Sequence, residues 1–394
     1  MWLGGTVAEA GVWLGGTVAG AGVWLGGTVA EAGGAVRDLA GGPYLPAIPR
    51  ICGPIARIPG IPSTILVAPD SFKGTLSAGE VAAAVGRGLT AAGRPVDLCP
   101  VADGGEGTLE ALMSALGGEV RTVRVSDPLG RPVEASFGLS TGQAGGRGRG
   151  GPIGILETAA ASGLHLVAPD ERDASAASTY GTGELIAAAI GAGARTVYLG
   201  VGGSATTDGG SGALQAIEEA GGVREVEIKV LCDVRTPFEN AARVFGPQKG
   251  AAERDVERLT ERLQEVAARF ARDPRGVPMT GAAGGLSGGL WAELGAELVP
   301  GASFVLDAVD FDARMRAARA VVTGEGKLDQ QSLAGKVVSE IATRARQSGV
   351  PCHAIVGTRE LDSFGARVLD LQAVLEASTI EELEAAGREL AEMV

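Results

Sequence analysis

Six short apolar runs along the chain have the length and composition of buried β-strands. They cover residues 65–68, 96–101, 196–199, 228–232, 320–322 and 353–356. Residues 78–89, between the first two runs, carry apolar side chains at helical spacing. Because strands that alternate with helical stretches are typical of α/β architecture, the pattern predicts an α/β fold with a largely parallel sheet.

Most of these runs end at an acid or a glycine. The acids are Asp70, Asp103, Asp233 and Glu325, and the third run ends at Gly200. Ligands of open α/β sheets bind beyond the carboxyl ends of the strands. Carboxylates there suit Mg²⁺, and glycines let backbone N–H groups approach phosphates. One such acid alone is better explained as a helix cap or turn residue, but the whole set favours a phosphate-handling site.

The first 63 residues have a different character. Trp2, Trp13 and Trp24 mark a repeat of 11 residues, and a stretch rich in Pro and Gly follows. The repeat holds too many glycines to stack as a solenoid or to form a stable coiled coil. No basic residue precedes Arg37, which argues against a secretory signal. We expect residues 1–63 to lie outside the fold, with an exposed adhesive segment as the alternative.

Composition narrows the function classes. The net charge of −13 argues against nucleic acid or an anionic membrane as a partner. The four cysteines form no C-x-x-C pair, so reduced thiols in a cytoplasmic protein are expected. With two histidines, the chain has little material for His-based catalysis or metal binding. No apolar run reaches the roughly 18 residues of a membrane span.

Two segments place charged residues and glycines at predicted helix starts. In residues 71–75, Lys73 can reach a phosphate or stand in solvent beside a capped helix. Residues 103–108 hold Asp103, Glu106 and three glycines directly before an apolar helix. Helix N-termini attract anions, and capping does not require three glycines. A Mg²⁺ or phosphate function is therefore favoured for the second segment.

Residues 200–205 fit the G-x-G-x-x-A pattern, which alone is weak evidence for a dinucleotide site. The acid expected about 20 residues further on should end a second strand, but Glu218 and Glu219 lie in a helical pattern. Residues 206–212 instead add hydroxyls, glycines and Asp208, which suit phosphate and Mg²⁺. A NAD-dependent dehydrogenase of a small hydroxy acid is kept as an alternative.

Residues 324–329, followed by Gly335 and Lys336, resemble a P-loop in composition only. No glycine stands five residues before Gly335, and Val337 replaces the Ser or Thr that would bind Mg²⁺. Phosphate binding by a different kind of loop is the remaining functional interpretation.

Taken together, the motifs resemble the class I glycerate kinase family in content and order, from about Ile65 to Gly357. They occupy residues 67–74, 102–108, 178–185, 202–210, 232–234, 245–251, 281–285, 323–329 and 335–336. The resemblance implies a Rossmann-like parallel-sheet domain plus a smaller α/β domain, with the active site in the cleft between them. It implies phosphorylation of D-glycerate with ATP and Mg²⁺, most often to 2-phosphoglycerate. Such chemistry requires positioned phosphates and neutralised charge rather than a reactive His or Cys.

On this basis we expect residues 64–122 with 285–394 to form the Rossmann-like domain and residues 123–284 the second domain. Site roles are assigned by motif. The expected catalytic residues are Asp103, Asp208 and Lys73, and the expected Mg²⁺ ligands are Asp103, Asp208 and Asp233. Substrate or phosphate is expected at Ser71, Glu106, Gly107, Thr108, Gly202, Gly203, Ser204, Gly209 and Gly210. Nucleotide is expected at Thr323, Gly324, Glu325, Gly326, Asp329 and Lys336. The oligomeric state is open, a homodimer included.

One departure from the family bears on activity. The family has a longer insert before the strand that ends at Asp233, where this chain keeps only about residues 218–227. A catalytically inactive relative that binds ligand is therefore a second alternative, although the retained acids argue against it.

Overall fold

The structure is a computed structural model that describes residues 63–141, 151–223, 225–334 and 336–394. The predicted extra segment, residues 1–63, lies outside this part of the chain except for Ser63. The strands are β1 Ile65–Pro69, β2 Val96–Leu98, β3 Glu119–Ser126, β4 Pro132–Ser140, β5 Ile153–Glu157, β6 Thr196–Gly200, β7 Glu227–Leu231, β8 Glu297–Val299, β9 Ala320–Gly324, β10 Lys327–Leu328, β11 Cys352–Val356, β12 Thr358–Arg359 and β13 Leu371–Glu376. The α-helices are α1 Ala78–Ala91, α2 Thr108–Leu116, α3 Thr158–Ser162, α4 Tyr180–Gly191, α5 Ser211–Glu219, α6 Ala241–Phe245, α7 Glu253–Ala267, α8 Leu286–Leu294, α9 Gly301–Ala308, α10 Phe311–Arg316, α11 Val337–Ser348, α12 Ser363–Val368 and α13 Ile380–Met393.

A five-stranded parallel sheet has the order β13-β11-β9-β1-β2. Its central strands are buried along their whole length, which explains their continuous apolar sequence. The chain runs from β1 outward to β2 on one side and later from β9 outward to β13 on the other. The strand order thus reverses between β1 and β9. Ligands of open α/β sheets bind at such a switch point.

A second sheet is mixed and has six strands in the order β3-β4-β5-β6-β7-β8. Strands β3, β4 and β5 pair antiparallel, and β5 to β8 pair parallel. The outer strand β3 is mostly exposed, whereas β6 is fully buried. The two sheets and their helices confirm the predicted α/β class with two α/β domains. A short parallel pair, β10 with β12, lies apart from both sheets.

Helices α2 and α9 contribute to a core that both sheets share. One buried cluster contains Leu66 of β1, Ile155 of β5 and Leu231 of β7, together with Leu112 of α2 and Leu306 of α9. All five side chains are fully buried, so each contributes about 1.5–3 kcal/mol through burial. The loop before α2 is thereby fixed between the two sheets.

Local sequence signals define two helices that pack against each other. Ser77 caps α1 in a capping box with Glu80, and Thr379 caps α13 in the same way with Glu382. In each box the N-cap hydroxyl accepts the backbone N–H of the glutamate, and the glutamate carboxylate accepts the backbone N–H of the N-cap residue. Gly88 of α1 lies so near the carbonyl of Glu384 that a Cβ there would clash with it. The two helices therefore cover one face of the five-stranded sheet at close range.

The domain limits stay a prediction. The strands of the six-stranded sheet extend from Glu119 to Val299, on both sides of the predicted range 123–284. Strand β7, which follows the segment that the resemblance implies to be shortened, is intact: Glu227–Leu231 pairs with β6 along its length, and β8 pairs with its second half. In the part of the chain that the structure describes, every helix is too short or too polar to cross a membrane.

Candidate functional site

A cavity of about 370 Å³ lies at the carboxyl ends of β1, β9 and β11, at the switch point of the parallel sheet. Six residues with predicted roles line it together: Ser71, Lys73, Glu325, Gly326, Asp329 and Lys336. They come from the loop after β1, the loops after β9 and β10, and the N-cap of α11. The structure thus brings the predicted nucleotide loop next to the predicted phosphate lysine.

Lys73 joins this cavity to the loop after β2. Its Nζ donates to Asp103 Oδ2 at 3.0 Å, with 53% of the Lys73 side chain exposed and 12% of the Asp103 side chain. Enclosure favours the neutral amine of Lys73, but the charges of Asp103 and Asp70 outweigh it and raise the lysine's pKa. Burial acts to raise the pKa of Asp103, yet Lys73 and Lys336 hold that pKa below its ordinary value. The ionised pair is therefore stable near neutral pH.

Asp70 was not among the predicted site residues, although it ends the first apolar run. It lines the cavity and is 5% exposed, and its Oδ1 accepts the N–H of Ser71 at 2.7 Å. Burial and the nearby Asp103 raise the pKa of Asp70 well above its ordinary value. The environments of Asp70 and Asp103 thus shift their pKa values in opposite directions, a pattern typical of carboxyls with separate acid and base roles.

Several polar atoms at the cavity have no hydrogen-bond partner among the described residues. They are Ser71 Oγ and Glu325 Oε1, both buried, and Thr323 Oγ1 at the end of β9 is likewise buried and unpaired. Burial raises the pKa of Glu325, while a hydrogen bond from Ser332 and the charge of Lys336 oppose that shift. A buried polar atom without a partner costs about 1–3 kcal/mol. These atoms are hence suited to meet a polar ligand.

Three of the predicted nucleotide residues, Asp329, Gly324 and Gly326, shape this wall. Asp329 accepts the N–H of Gln331 at 2.8 Å and so orders the turn that leads to α11. Gly324 is so close to the Ile355 carbonyl that a Cβ would clash with it. Gly326 lies against the backbone of Phe72. These glycines allow the loops after β1, β9 and β11 to approach one another.

The loop of residues 103–107 connects the cavity to the second sheet. Gly105 N–H donates to Asp103 Oδ1 at 3.0 Å, and Thr108 Oγ1 donates to the Gly105 carbonyl at 2.7 Å. A Cβ on Gly202 would lie 2.5 Å from Gly105 Cα. The 202–204 turn after β6 therefore contacts the Asp103 loop directly.

Glu106 and Gly107 open on a second cavity of about 470 Å³, which also contacts Ser71. Its inner wall includes Glu157, a residue that the sequence interpretation missed. Glu157 Oε1 accepts the N–H of Leu109 at 2.8 Å at the start of α2. Burial raises the pKa of Glu157 to about 7. Glu157 ends β5, so the signal of a strand ending in an acid was present there too.

Asp208 is 2% exposed, and both of its oxygens are engaged. Oδ2 accepts the N–H and hydroxyl of Thr179, each at 2.8 Å, and the N–H of Gly212 at 3.2 Å. Oδ1 accepts the N–H of Gly210 at 3.0 Å. The neighbouring Gly209 and Gly210 have positive φ and turn the chain against Phe238 and Leu286 in the interior. In this structure Asp208 holds the 208–212 loop and Thr179 together through these hydrogen bonds. Its predicted catalytic and metal roles stay predictions.

Asp233 acts as a cap for α9 from the end of β7. Its Oδ1 accepts the N–H of Gly301 at 2.7 Å, and its Oδ2 accepts the N–H of Ala302 at 2.9 Å. Burial raises its pKa to about 7. A Cβ on Gly301 would clash with the Asp103 carbonyl, so this cap supports the back of the Asp103 loop. Its predicted role as a metal ligand is untested.

Lys249 is the third residue that the sequence interpretation missed, although it lies in a motif quoted for the resemblance. It ends the 3₁₀ turn Pro247–Lys249 and is 3% exposed. Its Nζ donates to Ser204 Oγ at 3.0 Å and to the Thr206 carbonyl at 2.5 Å. Burial lowers the pKa of Lys249 to about 7, against the opposing charge of Asp208. Its burial beneath the 202–206 loop follows from tertiary packing and has no local sequence signal.

Among the residues that the structure describes, no three His, Cys, Asp or Glu side chains form a group that could hold a metal ion. Mg²⁺ in phosphate chemistry is usually held by one or two carboxylates, with water and substrate phosphates as further ligands. Asp103, partly exposed beside Lys73 and Asp70, meets that smaller requirement. Lys73, Lys336 and the unpaired Ser71 and Glu325 atoms fit the phosphates and polar groups of a nucleotide.

Comparison with known proteins identifies the family of the chain. The family model described as the glycerate kinase family matches residues 65–221 and 217–393. The "Glycerate kinase" of Halalkalibacterium halodurans is 40% identical over 333 residues, covering 75% of this chain and 86% of the relative. The "Glycerate 2-kinase" of Escherichia coli is 38% identical over 331 residues, covering 75% and 85%. A crystal structure from Salmonella typhimurium LT2, of a protein provisionally named glycerate kinase 2, superposes with a TM-score of 0.69 at 34% identity and covers 84% of this chain and 98% of that one.

The family match breaks at one place. Its two segments meet at residues 217–221, within and just after α5. The break coincides with the segment that the sequence indicated as shortened, and the fold continues through it into β7. With matches on both sides that together span both sheets, the chain belongs to the glycerate kinase family.

Proposed function

We propose that the chain is a D-glycerate kinase that uses ATP and Mg²⁺ and phosphorylates the 2-hydroxyl in preference to the 3-hydroxyl. The observation that carries the proposal is the Lys73–Asp103 pair at 3.0 Å, placed between the cavity of the parallel sheet and the 202–204 turn. Family membership supplies the reaction class. The name of the Escherichia coli relative supports the 2-position.

The residues around the cavity divide into a nucleotide side and an acceptor side. Lys73 and Lys336 offer positive charge where the loops after β1 and β9 converge, which suits the nucleotide phosphates. The 202–204 turn contacts Gly105 from the other sheet, which suits the acceptor. ATP supplies the phosphoryl group, and Mg²⁺ supplies charge neutralisation. The chain's own contribution is to position both reactants in a fixed electrostatic field.

The two carboxyls beside Lys73 take different roles in this proposal. Asp103 has a lowered pKa, so it stays ionised and is a weak base, properties that favour holding Mg²⁺. Asp70 has a raised pKa, which makes it the better acceptor for the proton of the glycerate hydroxyl. Asp208 and Asp233 support the loops through the backbone bonds described above. Direct catalytic or Mg²⁺ contact by either is the less supported version of the proposal.

Two alternatives remain to be compared. The dehydrogenase has no support from the family or from the relatives named above, so we do not retain it. The second alternative, an inactive relative that binds ligand, is tested by measuring whether the chain turns over ATP with D-glycerate.

A cytoplasmic location fits the cysteine usage, and a homodimer stays an open proposal.

The experiment that tests the proposal determines which hydroxyl of glycerate carries the phosphate. Purified full-length chain is incubated with ATP, Mg²⁺ and D-glycerate, and the product is offered to enolase, which accepts 2-phosphoglycerate and not the 3-isomer. We expect enolase to convert the product without added phosphoglycerate mutase. Conversion only after mutase is added would assign the 3-position, and absence of any phosphorylated acid would support the inactive relative.

A further inference from the structure

Lys249 is a buried amine without an ionic partner, and burial lowers its pKa to about 7, so an anion bound nearby would hold it in its charged form. Only 3% of the residue is exposed, and its ammonium forms no ion pair with a carboxylate in the described ranges. The nearby Asp208 uses both oxygens in four hydrogen bonds to other groups. Burying a charged amine costs free energy unless an opposite charge or a ligand compensates it. The 202–204 turn next to Lys249 offers a place for such a ligand.

The ammonium of Lys249 lies beneath the 202–204 turn and changes what the turn offers. Because Ser204 Oγ accepts from Lys249 at 3.0 Å, the hydroxyl hydrogen of Ser204 is left to donate elsewhere. It has no acceptor among the described residues, and neither do the backbone N–H groups of Gly203 and Ser204. Gly203 is exposed. The turn thus combines three free donors with the Lys249 amine below them, which an anion at the turn would keep protonated. This is the composition of an anion-binding nest.

The position of the turn selects which anion it binds. Gly202 contacts Gly105, whose N–H binds Asp103 Oδ1, so the turn is adjacent to the Asp103 loop. Lys73 and Lys336 line the cavity associated with the other sheet, where we place the nucleotide phosphates. The anion at the turn is then the one that the acceptor brings. D-Glycerate carries its carboxylate on the carbon next to the 2-hydroxyl.

We propose that the 202–204 turn binds the carboxylate of the acceptor acid and that Lys249 is the positioning residue that makes this turn positive. The inference rests on the proposed function for the identity of the acceptor. It adds the residue and the charge that select an acid over an uncharged polyol. Lys249 acts through Ser204 and through the loop backbone rather than by direct contact.

The first test replaces the charge and keeps the volume with Lys249→Met in the full-length chain. We expect the KM for D-glycerate to rise about 10- to 100-fold, the range for loss of a charge-assisted contact, while the KM for ATP changes less than about twofold. Lys229→Met is the matched control. Lys229 is 9% exposed in β7 of the same sheet, and it pairs with Glu297 at 3.1 Å, away from the turn. It should leave both KM values near wild type.

A second variant, Ser204→Ala, keeps the Lys249 side chain and removes the hydroxyl that accepts its hydrogen bond. It should raise the KM for D-glycerate in the same direction by about tenfold. Binding without turnover is followed as the rise in Tm that D-glycerate alone produces. This rise should be present in wild type and Lys229→Met, and lost in Lys249→Met.

The outcomes separate this inference from the kinase proposal. Unchanged KM and Tm responses in a folded Lys249→Met or Ser204→Ala protein would overturn the inference, and so would a rise confined to the KM for ATP. If Lys249→Met fails to fold, Ser204→Ala decides between these results. A wild type that shows the Tm rise with D-glycerate but no phosphorylated product would defeat the kinase proposal. In that case the Tm rise with D-glycerate, compared between wild type and Lys249→Met, would still decide the role of Lys249.

Discussion

The contact between Gly202 and Gly105 gives a sharp test of whether the two loops form one site. Gly202 does not have the positive φ that would strain an alanine, so Gly202→Ala acts only through space. The added Cβ would lie 2.5 Å from Gly105 Cα, whereas ordinary contacts begin near 3.4 Å. The loops must therefore separate by about 1 Å, a displacement that can cost about 100-fold in rate. Because the N–H of Gly105 donates to Asp103 Oδ1, moving Gly105 would also move the Asp103 carboxylate that pairs with Lys73.

The assay is ADP release with saturating ATP and varied D-glycerate. Gly202→Ala should lower kcat/KM for D-glycerate by about 10- to 100-fold. Gly191→Ala is the control, because Gly191 ends α4 with no atom within 4 Å of the added Cβ. It should keep wild-type kinetics and change the free energy of unfolding by at most about 1 kcal/mol, in the stabilising direction. Wild-type kcat/KM in a folded Gly202→Ala protein would refute the reasoning that the two loops act together.

Two further predictions concern buried acids. Glu157 has a pKa of about 7 in the fold against an ordinary 4.5, chiefly through burial, so its contribution to stability is fully present below pH 4.5 and is lost as pH rises to 7. Glu157→Gln should lack that fall and gain roughly 3 kcal/mol relative to wild type above pH 7; denaturant unfolding at several pH values checks this, and parallel curves would contradict it. Asp233→Ala should lose about 1–2 kcal/mol of stability as a lost cap, whereas Asp233→Asn should keep the Mg²⁺ concentration for half-maximal activity. A marked shift of that concentration would restore Asp233 as a metal ligand.

The six apolar runs located β1, β2, β6, β7, β9 and β11, whereas the parallel strands β5, β8 and β13 were not predicted. The run at 65–68 became β1, the run at 320–322 became β9, and both end at the cavity. The second run is shorter as a strand, since β2 ends at Leu98, although Cys99 and Val101 continue to bond to the β1 carbonyls. Burial on both faces makes such strands continuous in sequence, and this is why they were predictable.

The candidate site was predictable in part. Lys73, Asp103 and Glu325 follow from acids, lysine and glycine at strand ends, and the structure places them around one cavity or its rim. Lys249 was not predictable, because its importance comes from burial under a loop 45 residues away in sequence. For Asp208 and Asp233, the sequence alone does not distinguish a carboxylate that braces a loop from one that faces a ligand. The partner N–H groups that make the difference are set by the tertiary fold.

The central claim is that the Lys73–Asp103 pair lies at the reacting centre of an ATP-dependent D-glycerate kinase. The most direct measurement is ADP release with D-glycerate by the wild-type chain and by Asp103→Asn, with folding of both checked by thermal unfolding. The wild type should turn over, and Asp103→Asn should lose about 100-fold or more in kcat, since the charge that organises Mg²⁺ is gone while the shape is kept. Near-normal turnover by a folded Asp103→Asn protein would contradict the claim.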